Sequence, residues 1–134
     1  MIRWYGATDE PYARDLFALC HPTWPDRPEH WFHAHPTLVL PGRTRLLGMT
    51  SFTLSPMPDG IFAYFLDLCV LPRTRGKGYG GLLFDEREKV ARSFGAVFLI
   101  AVTDPGNAVM ASLLASRGFT PKETTDVGEV WTKA

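Results

Sequence analysis

Seven consecutive apolar residues, Ala96 to Val102, follow Gly95 and run up to Thr103-Asp104. A continuous apolar run of that length predicts a central strand buried on both faces. Three further strands precede it: Thr37–Leu40, Arg45–Leu54 and Ile61–Val70, joined by a turn at Pro41-Gly42 and a longer one over Ser55–Gly60. Their order and turn residues predict an antiparallel meander. Helical spacing appears elsewhere. Leu82, Leu83, Val90, Ala91 and Phe94 recur on one side of a segment that runs from about Gly78 to Phe94, and Gly95 suits the position after a helix end.

Near the start, Ile2–Tyr5 reads as a short strand. Thr8 or Asp9 can cap a helix that has Pro11 in its first turn, Leu16, Phe17 and Leu19 on its inner side, and its end near Cys20. The stretch from His21 to Pro36 contains four prolines and all four histidines, and predicts a loop with a short helix after Pro28. Past the central strand, Asn107 can open a helix with Val109, Met110, Leu113 and Leu114 inside, which stops at Arg117-Gly118. Phe119 begins the next strand, and Glu129–Lys133 closes the sheet. The pattern describes an α/β (α+β) fold with a mixed, mostly antiparallel sheet flanked by helices.

At 134 residues, the chain fits one domain spanning 1–134. Hydrophobic residues at 46% and charged residues at 21% suit a packed globular core. Fourteen basic residues balance fourteen acidic ones, which excludes a diffuse basic field of the kind that holds nucleic acid. Any anion must therefore bind locally. Cys20 and Cys69 form no CxxC pair and are expected as reduced thiols, with no metal site. No apolar run reaches the roughly 20 residues that span a bilayer, and no signal-peptide core opens the chain, so a cytoplasmic protein without membrane attachment is expected.

The most informative segment is Leu68-Cys69-Val70-Leu71-Pro72-Arg73-Thr74-Arg75-Gly76-Lys77-Gly78-Tyr79-Gly80-Gly81. A strand enters a glycine-rich turn that becomes a helix N-terminus, where unbonded N–H groups and the helix dipole favour a phosphate. Arg73, Arg75 and Lys77 add full charges, so a pyrophosphate suits the place. The plainer alternative is a turn that needs glycine for its own geometry, with three cations facing water. Gly76 to Gly81 also fits G-x-G-x-x-G with Asp104 as a ribose acid, but Pro72–Arg75 intervene between strand and glycines. The residues after Asp104 are too few for further βαβ units.

Arg75-Gly76-Lys77-Gly78-Tyr79-Gly80, preceded by Val70-Leu71-Pro72, resembles the R/Q-x-x-G-x-G/A motif of the GNAT superfamily of N-acetyltransferases. Asn107, eleven positions before Gly118-Phe119, resembles that family's N-to-GF helix. The resemblance implies acetyl-CoA as co-substrate, its pyrophosphate on the amides of Arg75, Gly76, Lys77, Gly78, Tyr79 and Gly80. It implies that the pantetheine arm pairs with the end of the Ile61–Leu71 strand along Cys69, Val70 and Leu71, where the fourth and fifth strands splay apart. Asn107 would contact the arm, and the thioester carbonyl would lie near the amides of Val70 and Leu71. The implied reaction is direct transfer of acetyl to a primary amine of a small molecule or peptide. The rival is a GNAT-fold module that binds acyl-CoA without transfer. A homodimer is the default expectation for a domain this small.

Asp67 is the acid within the long apolar strand and beside the implied thioester, so it is the candidate catalytic base or amine anchor. Its alternative is a structural acid, because buried carboxylates are seldom left unpaired. Tyr64 and Leu66 stand where the family often has a glutamate, and Leu114 where it often has a tyrosine acid. Ser112 and Ser116 are poor replacements, since a serine hydroxyl has no useful acidity at neutral pH. Tyr79 is expected to pack. His30, His33 and His35 suggest a metal cluster only weakly, and Trp24, Trp31 and Phe32 read as core before they read as an acceptor cage.

Overall fold

A computed structural model describes residues 1–25 and 31–134, without the side chain of residue 33. The elements are β1 (Arg3–Trp4), α1 (Glu10–Cys20), α2 (Trp31–Ala34), β2 (Thr37–Pro41), β3 (Leu46–Met57), β4 (Gly60–Val70), α3 (Tyr79–Ser93), β5 (Ala96–Thr103), α4 (Ala108–Ser116), β6 (Thr120–Thr125) and β7 (Gly128–Lys133). The strands order as β1-β2-β3-β4-β5-β7-β6. β4 and β5 are parallel, whereas β1–β2, β2–β3, β5–β7 and β6–β7 are antiparallel, so the mixed, mostly antiparallel sheet is observed.

The chain forms two compact units. One comprises Met1–Phe52 and Asp67–Val90, the other Thr53–Leu66 and Ala91–Ala134. In the first, Ala13, Leu16 and Phe17 of α1 pack with Phe32, Val39, Leu46, Met49, Cys69 and Leu71. Its chain start is tied by Arg3, whose guanidinium donates to both oxygens of Asp9 at 2.7 and 3.0 Å, and by the Tyr5 hydroxyl, which donates to Glu10. The Asp9 carboxylate also accepts from the Gly6 amide at 2.8 Å, and these donors hold its pKa below the ordinary value. Gly48 on β3 is required by packing: a Cβ there would stand 2.5 Å from Leu83 Cδ1 and 3.1 Å from the Cys69 carbonyl. In the second unit, β4 pairs with β5 from Ile61↔Ala96 to Phe65↔Ala101, and Phe62 meets Phe98 at 4.9 Å between ring centroids.

Several expectations change in detail. β3 continues through Ser55-Pro56-Met57, leaving only Pro58-Asp59 as the turn. β2 pairs with β3 only as far as Ser51, so Pro56 lies where no β2 partner needs its missing N–H. β5 is interior in the strand order but not buried along its whole length: Val97 and Val102 are about half exposed, while Ala96, Leu99, Ala101 and Thr103 are buried. Leu19, Leu82, Phe94 and Val109 face solvent, whereas Phe84 and Arg87 are buried. On α3 the inner face is Leu83, Phe84, Arg87 and Ala91, one position round from the expected stripe.

Candidate active site

The first unit carries the strand, turn and helix start that the sequence singles out. Asp67, Cys69 and Val70 end β4, and Leu71 leads into a 3-10 turn over Pro72–Thr74. That turn is fixed at its start: the Thr74 amide and hydroxyl both donate to the Leu71 carbonyl, at 2.9 and 2.8 Å. Gly76 and Gly78 follow with φ of +85° and +84°, a conformation that strains any residue with a Cβ. Nothing lies within 4 Å of a Cβ built at either, so the space beside them is open. α3 begins at Tyr79, after a residue with no side chain to cap it. Its first amides therefore have no intrahelical acceptor and no N-cap side chain from Gly78. Arg73, Arg75 and Lys77 are exposed around this turn, and Tyr79 and Gly80 are half-buried.

The amide of Leu71 donates to the Leu47 carbonyl at 2.7 Å and is engaged in the fold. Neighbouring residues of a strand direct their backbone groups to opposite sides, which leaves the Val70 amide as the candidate donor to a ligand. The Val70 carbonyl accepts from Arg75 Nε at 3.2 Å and lies 3.4 Å from Cys20 Sγ.

Asp67 is half-buried, and its carbonyl accepts from Thr50 Oγ1 at 2.8 Å and from Arg87 at 3.2 Å. Arg87 also donates to the Ser51 carbonyl at 3.2 Å and lies 5.1 Å from the Phe84 ring centroid. It is 1% exposed. Burial lowers the pKa of its guanidinium and the Asp67 charge opposes that shift, leaving it at about 9 and the group cationic at neutral pH. Sequence reading missed Arg87 as part of this constellation. The signal was available: position 87 lies four residues from both Leu83 and Ala91, on the same helix face.

In the second unit Asn107 is the N-cap of α4, and its Oδ1 accepts from the Met110 amide at 3.1 Å. Leu114 is fully buried, Ser112 is exposed, and Ser116 donates to the Leu113 carbonyl at 2.7 Å. His30 and the side chain of His33 lie outside the described residues, whereas the short helix expected after Pro28 is observed as α2, Trp31–Ala34. His35 Nδ1 lies 2.8 Å from the Trp31 carbonyl, and its ring stacks on Trp31. Among the described residues no cluster of metal ligands forms. A cavity of about 230 Å³ in the first unit, lined by Arg3, Asp9, Tyr12, Arg43 and Arg45 among others, includes none of the candidate catalytic or cofactor-binding residues. No described helix is long and apolar enough to cross a membrane.

The model of the acetyltransferase (GNAT) family matches residues 4–119. No curated protein matches the chain. Among solved structures, an acetyltransferase of Salmonella typhimurium, YncA, determined with acetyl-CoA, is similar at a TM-score of 0.80 and 22% identity, covering 99% of this chain and 92% of that one. The ribosomal-protein-alanine N-acetyltransferase of Brucella melitensis is similar at 0.78 and 21%, covering 99% and 98%. The PaiA N-acetyltransferase of Thermoplasma acidophilum, solved with coenzyme A, is similar at 0.73 and 18%, covering 99% and 97%. With the family match spanning most of its length and the fold agreeing, this chain belongs to the GNAT acetyltransferase family.

Proposed function

We propose that the protein is an acetyl-CoA-dependent N-acetyltransferase, which transfers acetyl directly to a primary amine of a small molecule or peptide in the cytoplasm. The observation that carries this reading is the turn before α3: two glycines at positive φ beside open space, a helix that starts directly after Gly78, and exposed Arg73, Arg75 and Lys77. These features fit a pyrophosphate, which needs close backbone approach, N–H donors and positive charge. Arg75 to Gly80 would hold it, with the arm along Cys69, Val70 and Leu71. Solved relatives with acetyl-CoA or coenzyme A support the choice of co-substrate, and the ribosomal-protein-alanine relative supports a peptide among the acceptor classes.

The transfer poses three tasks, two of which fall to this chain's own groups. A lysine-like amine, with a pKa of about 10.4, is less than about 0.1% neutral at pH 7, so its proton needs an acceptor. Asp67 is assigned that task, or the anchoring of the ammonium before it loses its proton. The Val70 amide is assigned to the oxyanion, a contribution of about 3 kcal/mol if it matches oxyanion-hole donors in general. The departing thiolate needs no protein acid, because a thiol of pKa about 8.5 leaves readily near neutral pH and takes its proton from water or from the amine. The buried Leu114 agrees with that absence of a tyrosine acid, and equally favours the second reading, a module that binds acyl-CoA without transfer.

Thiol release from acetyl-CoA in the presence of a panel of amino acids, polyamines, aminoglycosides and peptide N-termini separates the two. Release that depends on one acceptor class supports the enzyme. Saturable CoA binding with no release for any of them supports the module.

A further inference from the structure

Cys20 closes α1 and Cys69 lies on β4, 49 positions later, yet Cys20 packs against the core cluster that contains Cys69, and each sulfur lies beside the other's neighbour in the chain: Cys20 Sγ is 3.4 Å from the Val70 carbonyl and Cys69 Sγ is 3.8 Å from His21 Nε2. Neither is in a disulfide. Their surroundings differ. Cys20 is half-buried, and its Sγ lies 3.4 Å from the Val70 carbonyl, to which Arg75 Nε also donates at 3.2 Å, so the guanidinium and the sulfur share one acceptor. Cys69 is 1% exposed, and its Sγ lies 3.8 Å from Nε2 of His21. The His21 ring is held by Trp24, stacked at 3.9 Å and 9°, and by Phe17 at 5.0 Å between centroids.

The outer sulfur thus has a cation and a second thiol nearby, while the inner sulfur has a basic nitrogen beside it. Cys69 is the largest influence on Cys20 and favours its anion; burial opposes it, Arg75 adds to it, and the result is a pKa lowered to about 7. Roughly half of Cys20 is then thiolate at pH 7, against a few per cent for an ordinary cysteine. A pair that served packing alone would gain nothing from this asymmetry.

We propose that Cys20 and Cys69 form a hydroperoxide-responsive dithiol, in which Cys20 is the attacking sulfur and Cys69 resolves it to an intramolecular disulfide. The Cys20 thiolate attacks one peroxide oxygen: the S–O bond forms, the O–O bond breaks, and the departing oxyanion takes a proton to leave as water or an alcohol. Cys69 then attacks the sulfur of the Cys20 sulfenic acid. The S–S bond forms, the S–O bond breaks, and the hydroxide leaves as water with the Cys69 proton, for which His21 Nε2 is the nearby acceptor. The two sulfurs supply the two electrons that reduce the peroxide, and an added dithiol reverses the change. Sulfurs packed in one cluster can reach bonding distance by side-chain rotation. The chemistry needs no bound CoA, and it is tested on the chain without it.

The test uses the full chain treated with a small excess of hydrogen peroxide, then iodoacetamide under denaturing conditions, with intact-mass and peptide analysis. The proposal expects a loss of about 2 Da, a Cys20–Cys69 cross-linked peptide, no alkylation of either sulfur, and full reversal by dithiothreitol. Cys69→Ser should stop at a Cys20 sulfenic acid that dimedone traps, and Arg75→Gln should slow oxidation several-fold. A measurement on the parent chain guards against misfolded variants: in strong urea, both cysteines should alkylate at similar rates, whereas in the folded state Cys20 should react at least tenfold faster. Both sulfurs still alkylatable after peroxide, disulfides only between molecules, or Cys69 reacting first in the folded chain would each overturn the proposal.

Discussion

Two junctions in this protein lead from a strand into a helix, β4 into α3 and β5 into α4, and they solve the same problem differently. At α4 the chain supplies its own cap: Asn107 Oδ1 accepts from the Met110 amide. At α3 the corresponding place is Gly78, which has no side chain, and the preceding residues are cations and glycines at positive φ. A helix start that closes itself needs nothing from outside; one built to stay open has amides for an anion. Fold stability alone favours the first arrangement, since a side-chain cap contributes about 1 kcal/mol. The second is the mark of a binding turn, and it is on this contrast that the acetyl-CoA reading rests.

Four substitutions probe the contrast, beginning with the largest effect. Gly78→Glu places bulk and negative charge in the open space and strains a positive φ, so CoA affinity should fall by roughly 100-fold or more, about 2.7 kcal/mol. Titration calorimetry on the folded variant checks this, and unchanged affinity would move the ligand elsewhere. Asp67→Asn should lower turnover by about 100-fold while CoA still binds. It should also lower Tm, because Arg87 loses the charge that offsets its burial. A lower Tm with turnover within twofold of the parent would make Asp67 a counter-ion only. Leu114→Tyr overpacks a fully buried position and should cost about 1–3 kcal/mol in denaturant unfolding, with little gain in rate. In the parent, rate should rise with pH as the amine deprotonates and then level off; an alkaline limb removed by replacing Tyr79 or Ser116 would reveal an acid. Asn107→Ala should cost about 1 kcal/mol through loss of the cap, and a comparable loss of CoA affinity would add the ligand contact that the family resemblance implies.

How much of this was legible in sequence differs between the same two regions. Asn107 and the glycine turn are local signals, and both stand where the pattern puts them, because cap and turn chemistry depend on neighbours in the chain. The buried face of α3 was less legible: Leu82 is exposed and Arg87 is inside, since a cation reads as a surface residue until a carboxylate and two carbonyls from β3 and β4 are placed around it. Pro56 signals a turn, yet β3 runs through it, and only the end of β2 at Ser51 shows why a strand tolerates it there. The Leu71 amide was expected near the ligand but is engaged by Leu47, a long-range bond that no local pattern announces. Nor does anything in the sequence bring Cys20 to Cys69.

Hydrogen exchange at the two helix starts, with and without CoA, tests the central claim most directly. The account predicts that CoA slows exchange of the amides of residues 76–81 at least tenfold, by giving them an acceptor, and slows those of residues 108–110 much less, because Asn107 already caps that turn. Saturating CoA that leaves residues 76–81 exchanging at their free rate would contradict it.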